Sequence, residues 1–448
     1  MEITNLRTAG LGDATYVVTH EGVGVVVDPQ RDIGRFEQVL EEQHAELRYV
    51  LETHLHNDYV SGGRTLAERH GADVVLPAAS GAAFDHVPAF HLEHLEPAGG
   101  LEVRPIHTPG HTPEHVSYLV LIEGEPVAVF SGGSLLVGSS GRPDLLGPER
   151  ARTLARLQYI SVNRLAALPD DVGLYPTHGE GSFCTSSGAG RTTSTIGLEK
   201  AENPVLAQPD EESFVAFTLS DLQPWPTYYA HMGPANLFGP QPLPSTEVAE
   251  LSVDDVAARS ADTVVLDARP RTAFAEAHIP GAVGIELGEQ LGVWAGWVLD
   301  FNAPIQLVLE RDQDATEAAV QLARIGFDRV QGVLRGLDDW QAAGHPVLGF
   351  DVAKVDDVSA LLARGATLQI LDVRAPNEVE AAPLPGAHTR YVPDLVAGVG
   401  EGLDAAHPVW VVCGSGYRAA IAASLLEGHG YTPVLIDEGG VDELLAAA

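Results

Sequence analysis

Thr53-His54-Leu55-His56-Asn57-Asp58-Tyr59-Val60-Ser61-Gly62-Gly63 follows the apolar run Tyr49-Val50-Leu51, and its reading decides the fold of the first half of the chain. A short apolar run bounded in this way reads as a buried strand, so the histidines stand on a loop at a strand end. His54 and His56 are two positions apart and Asp58 stands two further on, which puts three ligand-type side chains within one turn of irregular backbone. Neutral imidazole and carboxylate oxygen are common ligands of divalent metals, so the stretch reads as part of a metal site. Further candidates follow later apolar runs: His111 in Thr108-Pro109-Gly110-His111-Thr112, and His178 in Tyr175-Pro176-Thr177-His178-Gly179.

Upstream of the first loop, Tyr16 to His20 and Val23 to Asp28 read as a hairpin around Glu21-Gly22. Residues 33–43 have helical spacing, with Phe36, Val39 and Leu40 on one face. Downstream, the pattern predicts a helix near 64–70 and strands over 72–76, 101–106, 115–122 and 126–130, the last leading into Gly132-Gly133. The histidine loops, in this order, resemble the metallo-β-lactamase superfamily across residues 1–240, with its T-H-x-H-x-D-H loop, G-H-T loop, G-D turn and G-H-G loop. That resemblance implies an αββα sandwich with metal ligands on loops at one edge. Its metal candidates here are His54, His56, Asp58, His111 and His178. Two positions depart from the pattern: Tyr59 stands in place of a His, and Gly133 in place of the bridging Asp.

Gly141-Arg142-Pro143-Asp144-Leu145 looks like the G-R-x-D segment of glutathione-thioester hydrolases and persulfide dioxygenases in this superfamily. Arg142 either holds a substrate carboxylate in a bidentate pair or pairs internally with Asp144. Gly179-Glu180-Gly181-Ser182-Phe183-Cys184 extends the fourth motif. Its thiol reads either as a persulfide relay or as a small buried hydrophobe. Arg142, Cys184 and Tyr59 are the candidates for contact with substrate.

The proline cluster Gly239-Pro240-Gln241-Pro242-Leu243-Pro244 reads as a domain boundary. An internal repeat follows. Val264-Val265-Leu266-Asp267-Ala268-Arg269 precedes His278-Ile279-Pro280-Gly281-Ala282, and Gln369-Ile370-Leu371-Asp372-Val373-Arg374 precedes Leu384-Pro385-Gly386-Ala387. A second apolar strand follows in each half, and this alternation predicts small parallel-sheet α/β domains. The repeated D-x-R and P-G-A motifs resemble the rhodanese family twice over, across residues 247–448. The expected fold class is therefore α/β and α+β multidomain: a sandwich over 1–245, a rhodanese domain without an active Cys over 246–349, and one with an active Cys over 350–448.

In the second repeat the strand ends in Cys413-Gly414-Ser415-Gly416-Tyr417-Arg418. Two glycines let the loop curl so that successive N–H groups point inward as an anion nest. A thiol at such a nest, before a helix and near Arg418, favours thiolate and suits an anionic persulfide. This matches the C-x-x-x-x-R loop of rhodaneses, which implies that Cys413 carries sulfur, with Arg418 beside it and Gly414, Ser415, Gly416 and Tyr417 forming the nest. The first repeat has Glu310-Arg311-Asp312-Gln313-Asp314-Ala315-Thr316 there, an acidic loop without Cys, and is expected not to transfer sulfur.

The chain has 448 residues, more than one core usually supports. With 45% hydrophobic and 20% charged residues it reads as globular. The formal net charge of −36 repels nucleic acid and anionic membranes, so neither is an expected partner. A start without a basic, apolar leader predicts a cytoplasmic protein. Only Cys184 and Cys413 exist, so reduced thiols are expected rather than a disulfide framework. The domain order resembles persulfide dioxygenase–sulfurtransferase fusions, which implies oxidation of a low-molecular-weight persulfide at a mononuclear Fe(II) and sulfur transfer among persulfide, sulfite and thiosulfate. A sulfurtransferase with a degenerate metal domain, and a zinc thioester hydrolase of glyoxalase type, stay open as alternatives. So do the carrier thiol and a homo-oligomeric state.

Overall fold

The computed structural model describes residues 1–179, 182–184, 191–220 and 222–447. The chain forms two compact units, Met1–Pro244 with Ala323–Gly326, and Ser245–Leu322 with Phe327–Ala448. Among the described residues, no helix is long and apolar enough to cross a membrane.

The first unit is an αββα sandwich. One sheet runs Glu2–Thr8, Asp13–His20, Val23–Val27, Glu46–Leu51, Asp73–Pro77, Val87–Ala89 in spatial order. The other runs Ser194–Thr195, Gly173–Pro176, Glu125–Gly132, Val116–Ile122, Leu101–His107. Successive strand residues face opposite ways, and the sequence uses both faces. Tyr16, Val18, Val25 and Val27 join Tyr118 and Phe130 in the core between the sheets. Val17 and Val26 instead meet Phe36, Leu40 and Leu66 of the helices Gly34–Glu42 and Gly63–His70. On the far side Leu119, Leu121 and Val129 pack against Val162 and Leu165 of the helix Pro148–Ala166. The hairpin closes at Glu21 and Gly22, with φ of 48° and 80°, and its register pairs His20 with Val23. Positive φ at both central residues matches the right-handed twist of the flanking strands. The strand Glu2–Thr8 and the helix Pro148–Ala166 are additional to the elements expected from the sequence.

In the second unit the repeat becomes two parallel sheets. The first is ordered Val283–Gly284, Val264–Asp267, Ile305–Leu309, Val330–Arg335. The second is ordered Asp351–Lys354, Pro433–Asp437, Val409–Val412, Gln369–Asp372, His388–Thr389. The D-x-R motif has one geometry in both. Arg269 donates from Nε to Asp267 Oδ1 at 2.9 Å and from a terminal nitrogen to Oδ2 at 2.7 Å. Arg374 does the same to Asp372 at 3.0 and 2.8 Å. Each arginine also caps a carbonyl after the next helix, Ala277 O or Ala382 O.

These carboxylates are fully buried, and removing one partner of a buried pair leaves the other uncompensated. Arg374→Ala should therefore lower stability by about 3–5 kcal/mol, read from urea unfolding of the full chain. A loss below about 1 kcal/mol, the range of an exposed pair, would show that the motif is not a structural clamp.

Candidate metal centre and sulfur site

The loop after Glu46–Leu51 is fixed by a carboxylate from the neighbouring strand. Asp28, fully buried, accepts the Thr53 N–H at 2.7 Å and the Thr53 hydroxyl at 2.8 Å, and the Thr177 hydroxyl also donates to it. One side chain thus ties the His54 loop to the His178 loop.

Three histidines then converge. His54, His111 and His178 each offer a ring nitrogen, and these atoms lie within 4.8 Å of one another. The partners of the other nitrogens fix the tautomers. The Thr53 hydroxyl donates to Asp28, so it accepts from His54 Nδ1 at 2.8 Å. His111 Nδ1 donates to the Arg142 carbonyl at 2.9 Å, and His178 Nδ1 to Asp13 Oδ1 at 2.8 Å. All three Nε2 atoms therefore carry lone pairs. His54 Nε2 and His178 Nε2 stand 3.4 Å apart, and His111 Nε2 is buried with no hydrogen-bond partner. Lone pairs converging in a buried space repel one another unless a cation lies between them. Burial, reinforced by the neighbouring histidines, pushes His54 well below the usual histidine range and His111 down to about 3, and burial lowers His178 too. Each shift favours neutral imidazole, the form in which histidine binds a divalent metal. The residues present fit a metal, held by a three-imidazole face.

His56 belongs to a second such cluster, with a ring nitrogen within 4.8 Å of ligand atoms of Asp58 and His178. Its Nε2 is 3.2 Å from Asp28 Oδ1 and 3.4 Å from Glu52 Oε2. Burial opposes charge on this ring, but the two carboxylates outweigh it and hold His56 well above the usual range. Tyr59 stacks on His56 with centroids 4.4 Å apart and donates to the Asp28 carbonyl at 3.2 Å. Asp58 lies against the His178 ring, its Oδ2 3.3 Å from Nδ1. Burial pushes both Asp58 and Asp13 up to about 7.

Arg142 grips Asp144 with two hydrogen bonds of 2.7 Å and donates to Phe183 O. Its internal pairing thus occupies the groups that a substrate carboxylate would need. Cys184 is buried, with Sγ 3.6 Å from Asp58 Oδ2 and 3.7 Å from the Tyr229 hydroxyl. Burial raises its thiol well above the usual range. Glu180 and Gly181 of the same motif lie outside the described residues. Sequence reasoning missed Asp13, Asp28, Glu52 and Gln158, the last of which accepts the His111 N–H at 2.7 Å. Two of them carried a local signal, Asp28 and Glu52, each a carboxylate ending an apolar strand.

Gly133 has a steric reason. A Cβ there would lie 2.2 Å from His111 Cδ2 and 2.8 Å from its Nε2. The positive φ of the turn, 53°, belongs to Gly132. The space of the missing carboxylate is therefore filled by the His111 ring.

In the second unit Cys413 ends the strand Val409–Val412 and is buried. Gly416, with φ of 85°, caps the helix Tyr417–Gly428. Arg418 is held in a fork by Glu378, at 2.5 Å to Oε2 and 2.7 Å to Oε1. Burial works against the Glu378 carboxylate, but Arg418 and the Ala375 N–H outweigh it and hold the carboxyl below its ordinary 4.5.

Two outcomes are expected. Gly133→Asp should weaken metal binding by roughly 10–100-fold in a metal titration, because the new side chain displaces His111. Tighter binding would show that a carboxylate fits there after all. Glu378 has a folded-state pKa below its unfolded value, so its pairing stabilises fully above pH 4.5 and is lost as pH falls through the depressed value. Glu378→Gln should flatten this acid limb in thermal unfolding measured across pH, and an unchanged limb would assign acid loss to other groups.

Residues 8–178 match the metallo-β-lactamase superfamily, and residues 252–343 and 354–447 match the rhodanese-like domain. The mitochondrial persulfide dioxygenase ETHE1 of Homo sapiens is 29% identical over 218 residues, 48% of this chain and 78% of that protein. A hydroxyacylglutathione hydrolase of Aeromonas hydrophila subsp. hydrophila is 36% identical over 171 residues, 36% of this chain and 59% of that enzyme. Of other curated relatives the chain spans 50% of the length. A crystal structure of a metallo-β-lactamase from Staphylococcus aureus subsp. aureus COL is 27% identical, covering 75% of this chain and 99% of that one, with a TM-score of 0.67. The chain joins a domain of the metallo-β-lactamase superfamily to two rhodanese-like domains, and over part of its length it is similar to a persulfide dioxygenase.

Proposed function

We propose that this protein is an enzyme of sulfur metabolism that oxidises a low-molecular-weight thiol persulfide at a single iron and transfers sulfane sulfur through Cys413. The observation that carries it is the pairing, in one chain, of a buried face of neutral imidazoles with a cysteine loop built for an anionic sulfur. His54, His111 and His178 would hold the metal, with Asp13, Thr53 and the Arg142 carbonyl orienting their rings. A bound iron would supply O₂ and one-electron chemistry there. Zinc suits three imidazoles equally well as a donor set, so the choice of iron rests on the persulfide dioxygenase relative.

At the second site the Cys413 thiolate attacks the outer sulfur of thiosulfate. The S–S bond of thiosulfate breaks, sulfite leaves with the electron pair, and Cys413 holds a persulfide. An acceptor such as cyanide then takes the terminal sulfur and returns the thiolate. The loop N–H groups and the helix N-terminus favour negative charge on sulfur in both states. Arg418, fixed by Glu378, adds a permanent positive charge nearby. Because both sites lie on one chain, product and acceptor are held at raised effective concentration.

A second reading, a sulfurtransferase whose metal domain serves as a binding scaffold, is favoured by one feature: glycine at position 133 removes the carboxylate of the superfamily pattern. Dinuclear hydrolysis is disfavoured more strongly. The Tyr59 hydroxyl is bonded to the Asp28 carbonyl and there is no bridging group at 133.

Cys413→Ser should abolish transfer from thiosulfate to cyanide, since an alcohol forms no persulfide. The same variant, loaded with iron, should keep O₂ uptake on glutathione persulfide. Retained transfer would move the sulfur carrier away from Cys413. Absent O₂ uptake in the iron-loaded wild type would leave the scaffold reading.

A further inference from the structure

The rhodanese-like half without a cysteine reaches into the loop of the half that has one. Arg271 opens the helix Arg271–Glu276, just after the Asp267–Arg269 clamp. Its Nε donates to Asp437 Oδ1 at 2.9 Å, one terminal nitrogen to Ser415 O at 3.4 Å, and the other to Glu286 Oε2 at 2.8 Å. Glu286 is engaged a second time, its carbonyl accepting the Tyr417 hydroxyl at 3.0 Å. Both Ser415 and Tyr417 belong to the Cys413 loop.

Two physical consequences follow. In a trans peptide the C=O and the following N–H point in opposite directions. Holding the Ser415 carbonyl towards Arg271 therefore turns the Gly416 N–H the other way, away from Arg271. Asp437 also presses against the loop: a Cβ added to Gly416 would lie 2.1 Å from Asp437 Oδ1. A carboxylate against the loop opposes negative charge on the loop sulfur, and Arg271, which Asp437 shares with Glu286, offsets it. The other charged groups around the loop are Arg418, paired with Glu378, Glu286, which also holds Arg271, and Glu443, which accepts the Gly440 N–H.

We propose that the cysteine-less domain is a working part of the sulfur site, with Arg271 as the positioning residue that orients the Ser415–Gly416 peptide and cancels the Asp437 carboxylate beside it. This rests on the reading of Cys413 as the sulfur carrier and adds to it. The domain does more than space its neighbours, although its own loop carries no nucleophile.

The test uses the full chain. The rate of Cys413 alkylation by iodoacetamide is followed against pH, with the modified site identified by mass spectrometry so that Cys184 does not contribute. Arg271→Ala should move the midpoint of the profile upward by about one pH unit, which is tenfold in reactive thiolate at fixed pH below it. It should lower kcat/KM for transfer from thiosulfate to cyanide by a similar factor. Arg271→Lys, which keeps the charge, should restore most of the shift. Asp437→Asn should move the midpoint the opposite way, an outcome that stands even if Arg271→Ala fails to fold, whereas the upward shift in Arg271→Ala is the sign that exposure of a buried thiol does not produce. An unmoved profile in Arg271→Ala, or a shift of the same sign in Asp437→Asn, overturns the proposal. If wild-type transfer proves independent of Cys413, the sulfur-carrier reading fails, while the alkylation profile still decides whether Arg271 acts on the loop.

Discussion

The buried carboxylate of Asp28 is the constraint on which the first unit depends. It takes two hydrogen bonds from Thr53 and one from Thr177, and lies 3.2 Å from His56. Those contacts join two loops that leave different sheets. The tyrosine at 59 contributes from behind, with its hydroxyl on the Asp28 carbonyl and its ring stacked on His56. An ordinary ligand position has become part of the support.

The support also sorts the histidines by protonation. Rings whose Nδ1 donates to a fixed acceptor present a bare Nε2 and stay neutral, as His54, His111 and His178 do. His56 lies between the Asp28 and Glu52 carboxylates, which favour its charged form. One short loop thus places two histidines, two positions apart, in opposite electrostatic surroundings. The difference comes from burial beside carboxylates in one case and among other imidazoles in the other.

The second unit shows how a repeat keeps its scaffold while its chemistry diverges. Both halves retain the buried Asp–Arg fork and the same carbonyl cap. Only one retains a cysteine at the strand end. In the other, the residue after the fork, Pro270, starts a helix whose first residue is Arg271.

The sequence by itself determined the αββα sandwich, the parallel-sheet repeat and the loops that carry the histidines and Cys413. Those features are local: apolar runs set strands, turn residues set loops, and the ligand-type residues stand at strand ends. The strand Glu2–Thr8 was not legible, because it is half exposed and its pairing comes from Asp13–His20 rather than from its own pattern. Orientation within the site was also not legible. His178 takes its partner from Asp13, 165 positions away, and His111 takes one from the Arg142 carbonyl, 31 positions away. The sequence left Arg142 free to meet a substrate or to pair internally, and the fold turned it onto Asp144. It presented Gly133 as a missing ligand, whereas the fold shows the His111 ring in the space that a side chain would need. Which ring nitrogens converge, which carboxylates flank His56 and what fills the space beside Gly133 all depend on contacts between residues far apart in the chain, and only the tertiary structure brings those residues together.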